Sequence, residues 1–290
     1  MAAARLRQLL RRCAETNDVL LLPCVYDGLT ARTVQRAGFD AAFMTGFGVA
    51  AVHGVPDTGL LGLGEMVAAA RTVCGATSLP IIADADTGYG NAINVKQTVR
   101  QYARAGVAGL MIEDQVSPKR CGHTEGKAVV SRAEALLRVR AACDARDELG
   151  DCAPLVMART DARAVLGLEE AISRCEGFAA AGADMTFLEA PVSREEMRAY
   201  CERVPGHKMA NMLANGLTPR IAPIELARLG FTMAAYPLDL LNASIRAHER
   251  ALAAIKAGEP AGEHDALPFS RTQEAVGFCE YRAEERKYHV

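Results

Sequence analysis

Residues 80–113 read PIIADADTGYGNAINVKQTVRQYARAGVAGLMIE, and this stretch contains the repeating unit from which the fold is built. Short apolar runs at 80–84 and 109–113 flank a segment, 95–105, whose apolar residues recur at the spacing of an amphipathic helix. Gly106 follows that segment, where a glycine fits the left-handed residue that ends a helix. The stretch therefore predicts a β-strand, a helix and a second β-strand.

The same unit recurs along the whole chain. Predicted strands cover residues 19–24, 41–45, 80–84, 109–113, 154–158, 185–189, 208–212 and 232–236. Predicted helices include residues 66–74, 95–105, 133–145, 168–181, 194–204 and 241–256. Eight strand–helix units in about 250 residues are typical of an α/β protein that forms a (β/α)₈ TIM barrel. An open doubly wound sheet is the alternative, but the number of strands and the lack of a G-x-G-x-x-G turn disfavour it.

The two ends of the chain complete this domain organisation. Residues 1–257 are predicted to form the barrel, and residues 258–290 a linker followed by a segment that packs on the barrel or on a neighbouring subunit. The basic N-terminus is interpreted as a first amphipathic helix rather than a secretory signal or transit peptide, because apolar residues recur along one face: Leu6, Leu9, Leu10 and Cys13.

Composition excludes several classes of protein. The 33 basic residues nearly balance the 35 acidic ones, which argues against nucleic acid or an anionic membrane as the main partner. The sequence lacks an apolar run of about 18 residues, the length that a transmembrane helix needs. The nine cysteines include no C-x-x-C pair and the six histidines are dispersed, so a disulfide scaffold or a zinc site is disfavoured. We expect a protein of the reducing cytoplasm.

Polar side chains follow the predicted strands, at the face of a barrel where active sites form. These residues are Asp57, Asp84, Asp86, Glu113, Arg159, Asp161, Glu189 and Asn211. Taken singly, each could be a helix cap, a turn former or half of a structural ion pair. Several carboxylates at one mouth would repel each other unless a hard cation lay among them. The sequence therefore predicts a Mg²⁺ site, with Mn²⁺ as an alternative ion.

Cys121 differs from the other cysteines in its surroundings. Lys119, Arg120, Gly122 and His123 flank it in a polar segment, and nearby positive charge favours the thiolate. Such a thiol exchanges protons readily with a carbanion. We therefore predict that Cys121 is an acid–base group, and that residues 116–130 form an active-site lid. Several other cysteines are interpreted as inert buried residues: Cys13, Cys74, Cys143, Cys175 and Cys201.

Three segments resemble the isocitrate lyase/phosphoenolpyruvate mutase superfamily, and the resemblance covers residues 5–260. They are residues 80–90, residues 113–127 (EDQVSPKRCGHTEGK) and residues 158–162 (ARTDA). Within the superfamily the chain is most similar to proteins of the 2-methylisocitrate lyase and 2,3-dimethylmalate lyase type. The resemblance implies a (β/α)₈ barrel whose eighth helix is swapped between subunits, in a homotetramer.

The resemblance also implies roles for individual residues. Asp84 and Asp86 would hold Mg²⁺, with Asp57 and Glu113 nearby through water, and Arg159 would bind a carboxylate of the substrate. Backbone amides would line the pocket for the 2-oxoacid at Thr45, Gly46 and Phe47. The second carboxylate or the lid would be positioned by Gly122, His123, Glu189 and Asn211, and Pro237 would lie beside the substrate.

These assignments predict a Mg²⁺-dependent carbon–carbon lyase. It would cleave a 2-hydroxy di- or tricarboxylate to a 2-oxoacid such as pyruvate and a second carboxylate, with the Cys121 thiol as proton donor. Phe43 stands where many such lyases carry tyrosine, so the general base is left open between Glu113 and a metal-bound water. A phosphonomutase of the carboxyphosphonoenolpyruvate type and an oxaloacetate hydrolase are the alternatives. Pro237 disfavours the hydrolase, which tends to carry serine there.

Overall fold

Eight parallel strands form a closed barrel in the computed structural model, which describes residues 2–120, 126–258 and 266–288. Every strand pairs with its neighbour in the sequence, and Leu20 lies opposite Met233 where the first strand meets the last. The strands are β1 Leu20–Val25, β2 Ala42–Met44, β3 Ile81–Asp84, β4 Gly109–Glu113, β5 Leu155–Thr160, β6 Met185–Leu188, β7 His207–Asn211 and β8 Met233–Tyr236. The predicted (β/α)₈ barrel is confirmed, and the open sheet is wrong.

Helices connect the strands and extend beyond them at both ends of the chain. They are α1 Ala2–Thr16, α2 Gly28–Arg36, α3 Gly46–Val52, α4 Leu63–Ala76, α5 Ala92–Ala105, α6 Arg132–Leu149, α7 Ala162–Leu166, α8 Leu168–Ala180, α9 Arg194–Arg203, α10 Pro223–Leu229, α11 Asp239–Ala257, α12 Phe269–Val276 and α13 Phe278–Glu285. A short 3₁₀ helix spans Gly150–Cys152. Among these helices, none combines the length and the apolar character needed to cross a membrane.

Helix α5 shows how the local sequence sets the repeating unit. The side chain of Asn91 caps its first turn by accepting hydrogen bonds from the backbone amides of Ile93 and Asn94. Gly106 ends the helix at a φ of 92°, a left-handed conformation that favours glycine. The buried face includes Val95 and Val99, at the helical spacing that the sequence predicted.

The interior of the barrel is apolar directly beneath the predicted site. Side chains two residues apart on a strand point to the same face. Buried apolar residues therefore lie one step below the polar strand ends, at Ile82, Met111, Met157, Phe187, Met209 and Ala235. Helix α1 adds its buried face to this cluster through Leu6, Leu9, Leu10 and Cys13, as predicted. An apolar core thus underlies a polar mouth.

The C-terminal helix α12 makes polar contacts with α2. Arg36 of α2 pairs with Glu274 at 2.8 Å, and Arg32 donates a hydrogen bond to the carbonyl oxygen of Ala275. Neither α12 nor α13 has a buried residue, and α11 buries only Leu241. The domain boundary at residue 257 and the swapped eighth helix remain predictions.

Candidate active site

One cavity of about 640 Å³, including the space at its opening, lies at the C-terminal ends of the strands. Nine of the predicted site residues line it: Thr45, Phe47, Asp57, Asp84, Glu113, Arg159, Glu189, Asn211 and Pro237. Gly46 and Asp86 line a smaller neighbouring cavity, which shares Asp57 with the first. The sequence prediction therefore selected residues that the fold brings together.

Three predicted site residues, Cys121, Gly122 and His123, lie outside the described residues. The chain on either side of them is held in place. The side-chain amide of Gln115 donates to the carbonyl oxygen of Arg120 and accepts from its backbone amide, each at 2.9 Å. Gln115 also forms an antiparallel bridge with Val129. Arg120, the residue before Cys121, lines the cavity.

The ammonium group of Lys119 lies among the three aspartates that were predicted to surround a metal ion. Its Nζ atom is 2.9 Å from Asp57 Oδ1 and 3.9 Å from Asp84 Oδ2, and it contacts Asp86 Oδ1. Burial by itself would lower the pKa of Lys119, but the surrounding carboxylates outweigh it and raise that pKa well above its usual value. Burial raises the pKa of Asp86 to about 6, against the opposing effect of Lys119.

This arrangement bears on the predicted Mg²⁺ site. Within the described residues, no group of three or more acidic, histidine or cysteine side chains is placed to hold a metal ion as it stands. The aspartates nevertheless supply the hard oxygen donors that Mg²⁺ prefers, and a cationic group already occupies the space between them. The donor chemistry therefore fits Mg²⁺, provided that the ammonium group of Lys119 gives way to the ion.

Backbone contacts fix the orientation of Asp84. Its Oδ1 accepts a hydrogen bond from the amide of Asp86 at 3.0 Å, and its Oδ2 accepts one from the amide of Gly46 at 3.2 Å. A Cβ atom at position 46 would lie 2.7 Å from that Oδ2. A side chain at position 46 would therefore displace the Asp84 carboxylate, and glycine avoids this where the start of α3 approaches the end of β3.

Arg159 is the centre of a second buried charge cluster. Its Nε is 2.9 Å from Asp161 Oδ2 and 3.2 Å from Glu113 Oε2, and its Nη2 is 3.1 Å from Asp161 Oδ1 and 3.5 Å from Glu189 Oε2. The guanidinium also lies 5.3 Å from the centre of the Phe187 ring. These contacts place a planar cation, which suits a carboxylate, beside the apolar part of the cavity.

Glu113 lies between the two clusters. Burial raises its pKa well above the usual value, while the positive charges of Arg159 and Lys119 oppose that rise. Its Oε1 has no hydrogen-bond partner among the described residues, and the same holds for Oδ1 of Asn211. Buried polar atoms in folded proteins are normally paired, so these two oxygens mark positions where a ligand or water can bind.

Asp161 connects Arg159 to residues that the sequence did not assign to the site. Its Oδ1 also accepts a hydrogen bond from Lys127 Nζ at 2.9 Å. Its backbone amide donates to Asp114 Oδ1 at 2.9 Å, and Asp114 Oδ2 in turn accepts from Arg174 at 2.9 Å. The sequence analysis did not predict the ion pairs that Lys119, Lys127 and Asp114 form. All three residues lie within the segment 113–127 quoted above.

Apolar side chains form the rest of the cavity wall. They are Cys24, Phe43, Phe47, Met111, Phe187, Met209, Leu213, Ala235, Pro237 and Leu238. Neither Phe43 nor Phe47 has a hydroxyl group, so neither supplies a general base. The wall provides space for alkyl substituents on a charged ligand.

Comparison with known proteins agrees with this geometry. A family model described as phosphoenolpyruvate phosphomutase matches residues 10–256. The chain belongs to this family. It is 41% identical over 289 residues to the 2,3-dimethylmalate lyase of Eubacterium barkeri, which covers 99% of this chain and 98% of the relative. The predicted superfamily is therefore confirmed.

Other relatives differ in the reaction that they are named for. The chain is 37% identical to a 2-methylisocitrate lyase of Aeropyrum pernix, over 94% of this chain and 87% of the relative. It is 42% identical to the chloroplastic carboxyvinyl-carboxyphosphonate phosphorylmutase of Arabidopsis thaliana, over 90% and 78%. A crystal structure of 2,3-dimethylmalate lyase superposes with a TM-score of 0.93 at 38% identity, covering 99% of this chain and 95% of that one.

Proposed function

We propose that this protein is a Mg²⁺-dependent carbon–carbon lyase that cleaves a 2-hydroxy di- or tricarboxylate to a 2-oxoacid and a second carboxylate. One observation carries the proposal most strongly. A single cavity is lined both by aspartates around a cationic group, Asp57 and Asp84, and by the guanidinium of Arg159. A substrate with two carboxylates needs a site for each negative charge and a further site for the oxygen at C2. The lyases among the relatives support the same class of reaction.

The leading substrates are 2,3-dimethylmalate and 2-methylisocitrate, with pyruvate as the 2-oxoacid. Both carry methyl groups beside their carboxylates. The apolar wall of the cavity, including Phe43, Met209 and Ala235, supports the acceptance of such groups, since apolar surface is buried there at a gain in free energy.

Asp84 and Asp86 would hold the Mg²⁺ ion, with Asp57 and Glu113 contributing nearby oxygens. When bound, the ion supplies positive charge that stabilises the oxygen at C2 during cleavage. The residues of the chain do the remaining work. Gly46 and Asp86 hold the Asp84 carboxylate through their backbone amides, so the oxygens are positioned before the substrate arrives.

Two proton transfers complete the reaction. Glu113 accepts the proton of the C2 hydroxyl through its Oε1 atom, which has no hydrogen-bond partner among the described residues. The C2–C3 bond breaks, its electron pair passes to C3, and the adjacent carboxylate delocalises the charge. The thiol of Cys121 then donates a proton to C3. Arg159 neutralises a carboxylate of the substrate throughout.

The test measures, in the presence of MgCl₂, the release of a 2-oxoacid from 2,3-dimethylmalate, 2-methylisocitrate and isocitrate, and the release of oxalate and acetate from oxaloacetate, each assayed separately. We expect pyruvate from one of the first two. Cys121→Ser should abolish the activity, whereas Cys279→Ser, which alters an exposed cysteine on α13, should retain it. A folded, Mg²⁺-binding protein that released no 2-oxoacid from any of the three hydroxy acids would refute the lyase proposal.

A phosphonomutase of the carboxyphosphonoenolpyruvate type is the second candidate, because the Arabidopsis relative carries such a name. Transfer of a phosphorus group favours several cations at the mouth of the barrel. In the described part of the cavity wall the cationic side chains are Lys119, Arg120 and Arg159. Lys119 pairs with Asp57, and Arg159 pairs with Asp161. Conversion of a phosphonate substrate in the absence of lyase activity would favour this candidate.

We further propose that the protein is a homo-oligomer, a tetramer with a swapped eighth helix. Helix α11 has 19 residues and buries only Leu241, while Ile245, Leu252 and Ile255 are exposed. An apolar cavity of about 700 Å³ lies beside it, lined by residues of β1, α2 and β8. A second copy would cover both surfaces. Light scattering should give the mass of four chains, and Leu252→Lys with Ile255→Lys should lower it.

A further inference from the structure

Buried carboxylates surround Arg159. Three carboxylates, Asp161, Glu113 and Glu189, approach the single guanidinium group to within 3.5 Å. All are buried. An arginine that is so heavily surrounded by negative charge has little net attraction left for the carboxylate of a substrate. A second cation in the cluster would restore that attraction.

Lys127 supplies such a cation. Its side chain is only 4% exposed, and its Nζ lies 2.9 Å from Oδ1 of Asp161, whose side chain is fully buried. The same Oδ1 accepts a hydrogen bond from Nη2 of Arg159 at 3.1 Å. The carboxylate of Asp161 thus bridges Lys127 and Arg159. The positive charge of Lys127 therefore weakens the electrostatic attraction between Asp161 and Arg159.

The bridge itself is firmly placed. The backbone amide of Asp161 donates to Asp114, and the hydroxyl of Thr160 donates to the same carboxylate at 2.6 Å. Arg174 completes the pairing of Asp114. The backbone of Asp161 is therefore held in place, and its carboxylate already contacts Arg159 at 2.9 and 3.1 Å. We therefore expect a change at Lys127 to act mainly through charge.

We infer that Lys127 is a positioning residue for the substrate carboxylate. It compensates Asp161, so that the guanidinium of Arg159 keeps both its orientation and its attraction for an anion. This role rests on the proposed function, because it assumes that Arg159 binds a carboxylate. Lys127 lies outside the cavity wall, 32 positions before Arg159 in the sequence, so the inference assigns a role in substrate binding to a residue that does not line the cavity.

The competing explanation is that Lys127 only holds its own segment of backbone. Val116 and Ala128 form a backbone hydrogen bond next to it, so loss of the lysine could loosen this region without affecting Arg159. The two explanations differ in what restores function. Charge compensation requires a cation at position 127 or the loss of a negative charge at 161, whereas a backbone role requires neither.

The test measures binding of oxalate, a small dicarboxylate, in the presence of MgCl₂ by titration calorimetry, together with the melting temperature. We expect Lys127→Met to weaken oxalate binding about tenfold, the effect of one unit charge removed at two ion-pair lengths in a medium of intermediate dielectric. Lys127→Arg should retain binding. The double variant Lys127→Met/Asp161→Asn should bind more tightly than Lys127→Met, since it removes the uncompensated charge.

Lys208→Met is the matched control, because Lys208 is also buried but donates to the backbone carbonyl oxygens of Val204 and Gly206 at the opposite end of the barrel. It should lower the melting temperature without changing oxalate affinity. Unchanged affinity in Lys127→Met would overturn the inference, whatever its melting temperature. If Lys127→Met did not fold, oxalate binding by Lys127→Met/Asp161→Asn about tenfold or more weaker than that of the wild type would overturn it instead.

Oxalate binding also separates this inference from the proposed function. A wild-type protein that bound oxalate but cleaved none of the hydroxy acids would refute the lyase proposal and leave the Lys127 comparison valid. Where turnover is found, Lys127→Met should raise KM more than it lowers kcat, because the lysine acts on binding of the carboxylate rather than on proton transfer.

Discussion

Both ends of the barrel bury lysine side chains, but each end satisfies them differently. At the N-terminal end, Lys208 donates to two neutral carbonyl groups at 2.8 Å, and burial lowers its pKa. At the C-terminal end, Lys119 and Lys127 pair with buried carboxylates. There the carboxylates overcome the effect of burial and raise the pKa of Lys119. The fold therefore tolerates a buried lysine that donates to backbone carbonyl groups.

The difference between the two ends indicates that the buried charges at the C-terminal end are present for ligand binding and reaction rather than for stability. Removing two charges from water costs several kcal/mol for each ion, and well-packed apolar residues would often be as stable. The N-terminal end is built in that way, since α1 closes it with Leu6 and Leu10. The C-terminal end instead concentrates Asp, Glu, Lys and Arg in one cavity. Such a concentration is expected where a charged ligand is bound and its protons are moved.

The largest effect should come from the charge at the centre of the C-terminal end. Arg159→Lys should lower kcat/KM about a thousandfold, roughly 4 kcal/mol, because lysine cannot make the bidentate contacts of a guanidinium. Steady-state kinetics with the substrate that the 2-oxoacid release assay identifies would measure this. Arg163→Lys is the control, since Arg163 makes a bidentate contact with Glu196 on a neighbouring helix, outside the cavity wall. Equal losses in both variants would mean that Arg159 is only structural.

The next largest effect concerns the N-terminal end of the barrel, which α1 closes with apolar side chains. Leu10→Ala should lower the free energy of unfolding by about 3 kcal/mol, because it leaves a cavity in a fully buried cluster. Chemical denaturation would measure this, and KM should not change. Leu137→Ala, at a leucine that is 53% exposed on α6, should cost far less. A large change in KM for Leu10→Ala would contradict the separation of the two ends.

The barrel itself was predictable because its signals are local. Apolar runs, helical periodicity and terminal glycines each depend on a few neighbouring residues, and the eight predicted strands match those observed to within two residues at each end. The regular geometry of a parallel barrel then places the C-terminal ends of the strands together. That is why Asp84, Glu113, Arg159, Glu189 and Asn211 could be assigned to one site from the sequence alone.

The pairing within the site was not predictable in the same way. Lys127 and Asp161 are 34 residues apart, and their contact depends on the path of the segment between β4 and α6. Likewise, Arg32 and Ala275 are separated by 243 residues, and nothing local in the sequence indicates that α12 lies against α2. Cys121 stays a prediction, since it lies outside the described residues. Such contacts are properties of the folded chain rather than of short motifs.

A smaller effect should distinguish Lys119 from a fixed structural cation. If Mg²⁺ binds between Asp57, Asp84 and Asp86, it competes with the ammonium group. Lys119→Met should therefore tighten Mg²⁺ binding about tenfold in the absence of substrate, since a unit charge leaves the site. Calorimetric titration with MgCl₂ would measure the change. Lys208→Met should leave Mg²⁺ affinity as it is, and weaker Mg²⁺ binding by Lys119→Met would refute the competition.

The smallest effect concerns charges at the rim of the C-terminal end, away from the cavity. Hydrogen bonds from Arg132, and then from Arg174, lower the pKa of Glu170 to about 2. A carboxyl group with a lowered pKa stabilises the fold above its usual pKa, and the contribution is lost as the pH falls toward the lowered value. The side chain of Glu170 is partly exposed and its ion pairs are screened by solvent, so the contribution should stay below about 1 kcal/mol.

Melting temperatures of the wild type and Glu170→Gln should therefore differ at neutral pH and converge between about pH 4.5 and pH 2. Arg132→Gln should reproduce part of the difference, because it removes one of the two partners of Glu170. Since the rim lies outside the cavity, neither variant should alter KM. A shift in KM as large as that of Lys127→Met would mean that the charges of the rim and of the site act as one network, and the contrast between the two ends would then extend to the whole C-terminal face.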